Sequence, residues 1–398
     1  MGAGASLLHW TISRERLQRH SRFASGANRG PGMHVLMTAD TVGGVWTYTQ
    51  ELVSGLIQQG IRVTLVSLGK LPSPQQSAWI DALPELDCRP TDYRLEWMQD
   101  SERDVEESGN YLESVTREVR PDLLHLNQYC YGTVSPELPR IVVAHSDVVS
   151  WWVAFHGHEP EETPWIRWYR DTVTSGLGCA DVVVAPSQWM LDALRTYYAR
   201  PGFGVVVYNG RNPERFDPDR PKKDFVLSVG RLWDKAKQVS LLLQRDQAIP
   251  VCIAGSGEEP WKEASRENWP AIHNAQLKGS QSPEQLRGLF ADAAIYAATS
   301  CYEPFGLAPL EAALSGCALV ANDIPTFHEL WGDSACYFQR NDPDDLAAII
   351  TVLSKDKQLC RKYADAAYER AHVKFTAEAM IAQYAVLYQS VTSAEAVA

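Results

Sequence analysis

Two glutamates eight positions apart, Glu303 and Glu311, lie in the run Ser300-Cys-Tyr-Glu-Pro-Phe-Gly-Leu-Ala-Pro-Leu-Glu311. The first sits in a Pro/Gly turn, and the second falls on a helix predicted to begin near Gly306. Eight helical residues rise about 12 Å. A helix N-terminus offers unpaired backbone N–H groups and a positive dipole end. One acid beside such an anion-binding start and another farther along suit a nucleotide sugar, a diphosphate between two hydroxyl-rich rings, since a carboxylate accepts hydrogen bonds from vicinal hydroxyls.

Basic candidates accompany them. Gly230-Arg231-Leu232 closes the strand pattern Phe225–Val229, which puts Arg231 at a strand's carboxyl end. Lys237 follows, just ahead of a helical pattern at Val239, with Lys235 as the alternative. A planar guanidinium and a point-charge ammonium together suit a diphosphate. Gly43-Gly44, after the strand that opens at Met33, lets backbone approach a phosphate or sugar, although it departs from the Gly-x-Gly-x-x-Gly dinucleotide fingerprint. His145 ends the strand pattern Arg140–Ala144, and Lys278-Gly279-Ser280 follows another strand, where backbone is available to a nucleotide base.

The block from Trp151-Trp152 through Phe155-His156-Gly-His158 to Trp165 and Trp168-Tyr169 is rich in aromatic rings. Two readings stand: rings that line the acceptor side of a cleft, with Trp151, Trp152 and His156 as candidates, or rings that pack the first domain. His156 and His158 without further ligands make a poor metal site. Asp217-Pro-Asp219 and Asp342-Pro-Asp344 imitate a metal-binding Asp-x-Asp but read as turn and cap. No metal and no cofactor are therefore expected.

The paired-glutamate run resembles the motif of the retaining GT-B glycosyltransferases of family four, and Gly43-Gly44 and Arg231/Lys237 match that family in the same order. The family's Lys-Gly is here Lys237-Gln238, so the glycine is missing. The resemblance extends over nearly all of the chain from Met33 onward. It implies an α/β GT-B architecture, two Rossmann-like doubly wound parallel-sheet domains facing across a cleft. It also implies transfer from a nucleotide diphosphate sugar to a saccharide or glycoconjugate hydroxyl. By the same resemblance, Glu303 binds hydroxyls of the transferred sugar and Glu311 the ribose. Backbone N–H groups of Phe305, Gly306 and Leu307 meet sugar and phosphate, His145 contacts the donor sugar, and Gly43-Gly44 lies under the diphosphate. Front-face displacement with retention follows, the leaving diphosphate being stabilised by Arg231, Lys237 and the helix start. A nucleotide-sugar epimerase and a non-catalytic sugar-binding protein are the alternatives on this architecture.

The elements that must position these residues alternate strand and helix. Met33-His-Val-Leu-Met-Thr, a turn, a helix with Tyr48, Leu52, Val53, Leu56 and Ile57 on one face, and the strand Ile61–Ser67 form a β–loop–α–β unit, which favours a parallel sheet. Charged residues over 100–118 predict an exposed helix. Strands are predicted at 123–126, 141–144, 182–185 and 205–208, with helices over 163–178 and 187–199. The polar stretch Asn209-Gly-Arg-Asn-Pro reads as a linker. A second alternating unit opens at Phe225. The expected domains are thus 33–210 for the acceptor and 211–375 for the donor, and the resemblance has the last helix, 376–398, crossing back. Ligands of such sheets lie at strand carboxyl ends, so the interdomain cleft is the expected site.

The 398 residues favour two domains. A net charge of −12 argues against nucleic-acid binding. Eight scattered cysteines without a Cys-x-x-Cys pair read as reduced thiols, which points to the cytoplasm. No apolar run approaches the roughly 18 residues that span a bilayer. Residues 1–32 carry five arginines against Glu15. They read as a disordered leader or start-site artefact; the sharper reading is a basic arm in weak peripheral contact with the inner face of a membrane through Leu7, Leu8, Trp10, Leu17 and Phe23.

Overall fold

The computed structural model describes residues 32–198, 202–257 and 274–393. Nearly all of the expected leader therefore lies outside the described residues.

Two parallel sheets organise the chain. The first joins β1 (His34–Asp40), β2 (Arg62–Leu68), β3 (Asp87–Pro90), β4 (Leu123–Leu126), β5 (Arg140–Val143), β6 (Val182–Ala185) and β7 (Gly204–Val206) in the order β3-β2-β1-β4-β5-β6-β7. The second joins β8 (Lys223–Val229), β9 (Val251–Ala254), β10 (Ala275–Gly279), β11 (Ala293–Ala298), β12 (Ala318–Asn322) and β13 (Cys336–Phe338) in the order β10-β9-β8-β11-β12-β13. Every strand pair is parallel. Central strands such as Val182-Val-Val-Ala are buried throughout, as sheets covered on both faces require. The architecture is GT-B, and each sheet reverses its strand order once: between β1 and β4 in the first, between β8 and β11 in the second. Ligands of open α/β sheets bind outside the carboxyl ends of strands at such a switch point.

Helix α1 (Gly44–Gln58) leaves β1 and buries Tyr48, Leu52, Val53 and Leu56. Further helices of the first domain are α2 (Glu102–Val119), α3 (Val148–His156), α4 (Pro164–Cys179) and α5 (Gln188–Tyr197). The second carries α6 (Pro283–Asp292), α7 (Leu307–Leu314), α8 (Pro325–Trp331), α9 (Pro343–Lys355) and α10 (Lys357–Lys374). The last helix, α11 (Ala377–Ser393), returns to the first domain. Its Met380, Ile381, Tyr384, Leu387 and Tyr388 join the core of α1 and β1, and Tyr388 Oη lies 2.7 Å from His125 Nδ1. Gly55 of α1 gives α11 room, since a Cβ there would stand 2.1 Å from Ile381 Cδ1.

Three local features differ from the sequence reading. The helix expected after Lys237 is two short 3-10 turns, Lys235–Lys237 and Val239–Leu243. Gln238, at φ 46°, adopts a left-handed backbone between them and breaks any continuous helix. The edge strand β3 carries no alternating pattern and escaped detection. The aromatic block is opened by a nine-residue helix, α3, capped by Asp147 accepting from the Ser150 N–H.

The domains are also joined directly. Tyr302, on the loop after β11, places its hydroxyl 3.0 Å from both Ser146 Oγ and Ser150 Oγ of the first domain. The Glu329 carboxylate of α8 accepts the N–H groups of Gln188 and Trp189 at the start of α5, where the helix dipole favours an anion.

Candidate active site

The three loops singled out in the sequence emerge at the two switch points and meet across the cleft. Gly43 follows β1, Arg231 follows β8, and the Ser300–Gly306 loop follows β11. Gly43, at φ 85°, faces the Arg231 side chain closely enough that a Cβ would stand 3.4 Å from its Nη1. Gly44, the first residue of α1, faces Leu307, with a Cβ 3.5 Å from Cδ1. The Gly-Gly pair is therefore the first domain's wall against Arg231 and Leu307 of the second.

Arg231 is part-exposed, and its Nη2 donates to Asp234 Oδ2 at 2.7 Å while the guanidinium lies 5.1 Å over the Trp233 ring. Asp234 also accepts from the Trp151 indole N–H at 3.1 Å and from the Ala236 N–H at 3.1 Å. Burial pushes the Asp234 carboxyl up, but Arg231 and Lys237 outweigh it and hold the group below the ordinary carboxylate range. Asp234 so aims the arginine fork while anchoring the loop.

Lys237 Nζ lies 2.6 Å from Glu303 Oε2, and the Ser300 hydroxyl donates to the same oxygen at 3.0 Å. Lys235 is exposed. Of the two lysines, Lys237 is the one in the cleft. Gly306, at φ 90°, precedes α7, and no side chain caps that helix. Its first-turn backbone N–H groups stand beside Glu303, because a Cβ on Gly306 would meet Glu303 Cγ at 3.0 Å. Phe305 is buried against Phe375, which leaves only its backbone for a ligand.

Glu311 lies on α7 with Oε1 2.9 Å from Arg211 Nε. Burial raises its pKa and Arg211 opposes that rise. His145 is half-buried beyond β5 and stacks edge-on to Tyr48 with centroids 4.6 Å apart. Asn127 Nδ2 donates to Thr38 O at 2.6 Å, which turns Asn127 Oδ1 toward His145 Nε2 at 2.7 Å. Nε2 thus carries the proton and Nδ1 is left as an acceptor. Desolvation pushes the His145 pKa down to about 3, so the ring is neutral near pH 7.

The remaining candidates are dispersed. Ser280 is exposed just beyond β10. Trp151 is committed to the domain interface through Asp234 and its packing with Ala236 and Cys301. Trp152 lies tilted against the exposed His156 with centroids 4.2 Å apart. The aromatic block therefore divides among an interface anchor, a surface pair and, in Trp168 and Tyr169, rings that pack the first domain. Among the described residues, no group of three or more His, Cys, Asp or Glu side chains is placed to hold a metal, and no helix is long and apolar enough to cross a membrane.

Several contributors lay beyond sequence reasoning. Asp234, three residues after Arg231, carried a usable spacing signal. Asn127, Glu51 and Arg211 carried none, because their partners are distant in sequence.

Comparison with known proteins bears on residues 42–370. The family pattern described as Glycosyltransferase Family 4 matches residues 42–215, and that described as Glycosyl transferases group 1 matches residues 211–370. Alpha-maltose-1-phosphate synthase of Mycolicibacterium smegmatis is 25% identical over 307 residues, 68% of this chain and 76% of that protein. Phosphatidyl-myo-inositol mannosyltransferase of the same organism is 24% identical, over 58% of this chain and 60% of its own length. Sucrose-phosphate synthase of Thermosynechococcus elongatus superposes with a TM-score of 0.75 at 19% identity, covering 91% of this chain and 100% of that one. Anabaena HepE, solved with UDP-glucose, superposes with a TM-score of 0.69 at 16% identity, covering 90% of this chain and 100% of that one.

Proposed function

The chain belongs to the group 1 glycosyltransferases of the family-four type, and from that premise we propose that it transfers a sugar from a nucleotide diphosphate donor to a saccharide or glycoconjugate hydroxyl, with retention and without a metal. The observation that carries this reading is the meeting of Gly43, Arg231, Lys237, Glu303 and the start of α7 at the switch points of two facing sheets. That HepE was solved with UDP-glucose supports a nucleotide sugar as the donor class.

The diphosphate lies between Arg231, Lys237 and the α7 N-terminus, three fixed positive features at one place. Glu303, released in part from Lys237 by the incoming phosphate, accepts hydrogen bonds from the transferred sugar. His145, neutral and holding Nδ1 free, accepts a further sugar hydroxyl. Glu311 takes the ribose. As the bond between the anomeric carbon and the phosphate oxygen breaks, negative charge grows on the diphosphate. Preorganised cations stabilise that charge more in the transition state than in the ground state. The acceptor oxygen bonds the same face of the anomeric carbon, and its proton passes to the leaving phosphate oxygen.

The test is nucleoside diphosphate release in EDTA across UDP-, GDP- and ADP-sugars, with and without saccharide acceptors, followed by the anomeric configuration of the product. Acceptor-dependent release with a retained anomer is expected. Donor conversion at constant nucleoside diphosphate would identify an epimerase, and release that needs a divalent cation would overturn the metal-free mechanism.

A further inference from the structure

Arg211 stands where the chain passes between the domains. Its N–H donates to Phe375 O and its carbonyl accepts from the Ala377 N–H, each at 3.0 Å, so the outgoing strand of chain is clamped to the returning one. Gly210 allows this approach, since a Cβ there would stand 2.1 Å from Thr376 O. The side chain, only 9% exposed, forms ion pairs in two directions, and the one to Glu51 is also a hydrogen bond. Nη1 lies 2.6 Å from Glu51 Oε1 on α1 of the first domain. Nε lies 2.9 Å from Glu311 Oε1 on α7 of the second. The Phe216 ring backs the guanidinium at 5.6 Å, and Arg215 Nη1 stands 3.6 Å from the same Glu51 oxygen.

A buried carboxylate, Glu51, and a partly exposed one, Glu311, thus share one guanidinium. Breaking such a network strands a buried charge, so each member fixes the others. Glu51 belongs to the helix whose first residue, Gly44, faces Leu307 of the donor side. The same helix therefore touches the donor site at its start and, through Arg211, at Glu311.

We propose that Arg211, held in place by Glu51, is a positioning residue for the nucleotide: it engages one oxygen of Glu311 and so presents the other to the ribose hydroxyls. This inference rests on the assignment of Glu311 to the ribose. Without Glu51 the guanidinium is free to chelate both Glu311 oxygens, in competition with the ribose. With lysine at 211 the two-directional fork is lost.

The test is calorimetric binding of UDP, GDP and ADP and of their 2′-deoxy counterparts to the full chain and to Glu311→Gln, Glu51→Gln and Arg211→Lys. The intact protein should prefer the ribonucleotide about tenfold, the worth of roughly one hydrogen bond to a charged group. Glu311→Gln should abolish that preference. Glu51→Gln and Arg211→Lys should reduce it to about threefold or less, while inorganic pyrophosphate binds as before. Should Arg211→Lys fail to fold, Glu51→Gln decides alone. A preference retained in Glu51→Gln but lost in Glu311→Gln overturns the positioning role and leaves the ribose assignment standing. A preference retained in Glu311→Gln removes both.

Discussion

Lys237 and Glu303 hold each other in the cleft, Nζ 2.6 Å from Oε2, with both side chains less than one-fifth exposed. Each satisfies the other's charge at the place where a sugar diphosphate would need both. Donor binding on this account is an exchange: the phosphate takes the ammonium, and sugar hydroxyls take the carboxylate. Lys237→Ala should lower kcat/KM by on the order of 100-fold or more, the range seen when a preorganised charge is removed. Lys235→Ala, at an exposed position, should leave it within about twofold. Steady-state kinetics on the pair checks both expectations, and equal losses would place the phosphate elsewhere.

Gly306 has two reasons to be glycine. Its φ of 90° disfavours any side chain, and a Cβ would press on Glu303 Cγ at 3.0 Å and Pro309 Cγ at 3.2 Å. Gly306→Ala should cost about 1–2 kcal/mol of stability and reduce turnover by moving Glu303. Thermal melts read alongside kinetics separate the two effects.

The site's local motifs were legible because their chemistry is local. Glu303, Gly306 and Glu311 lie within one loop and one helix, and Arg231 directly follows an apolar strand. The alternation of strand and helix likewise implied parallel sheets. Other features were set by tertiary contacts. Gln238 takes a left-handed conformation that no propensity marks. Trp151 is an interface anchor because Asp234, 83 residues away, accepts its indole N–H. Arg211 and Glu51 are 160 positions apart, and neither has a pattern around it that names the other.

Tyr302 carries the loop beside Glu303 into the first domain, where its hydroxyl meets Ser146 and Ser150 and the Asp147 N–H. Tyr302→Phe keeps the ring and removes those bonds. A loss of about 1–3 kcal/mol is expected, as for buried polar groups left unsatisfied. Because the loop positions Glu303, kcat should fall with it. Unchanged melting and kinetics would show that the ring alone joins the domains.

Asp40 closes β1 beside the Gly43 turn, and burial pushes its pKa up to about 7, against the pull of the Val42 N–H and Arg231 and with help from Glu96. An unfolded aspartate titrates at about 3.9. The folded state therefore binds the extra proton between those values, so this group's contribution is fully present below about pH 4 and is lost as pH rises toward about 7. Asp40→Asn should match the parent's Tm at about pH 4 and exceed it increasingly up to about pH 8. A gap that does not change with pH would mean that Asp40 titrates normally.

The most direct measurement is titration calorimetry of UDP, GDP and ADP in EDTA against the full chain and its Arg231→Ala variant. One nucleoside diphosphate should bind the parent without metal, and Arg231→Ala should weaken it about 10- to 100-fold, the worth of charge-assisted hydrogen bonds to phosphate. Undiminished affinity in Arg231→Ala, or binding only when a divalent cation is supplied, would contradict a diphosphate held between the two sheets by the protein's own cations.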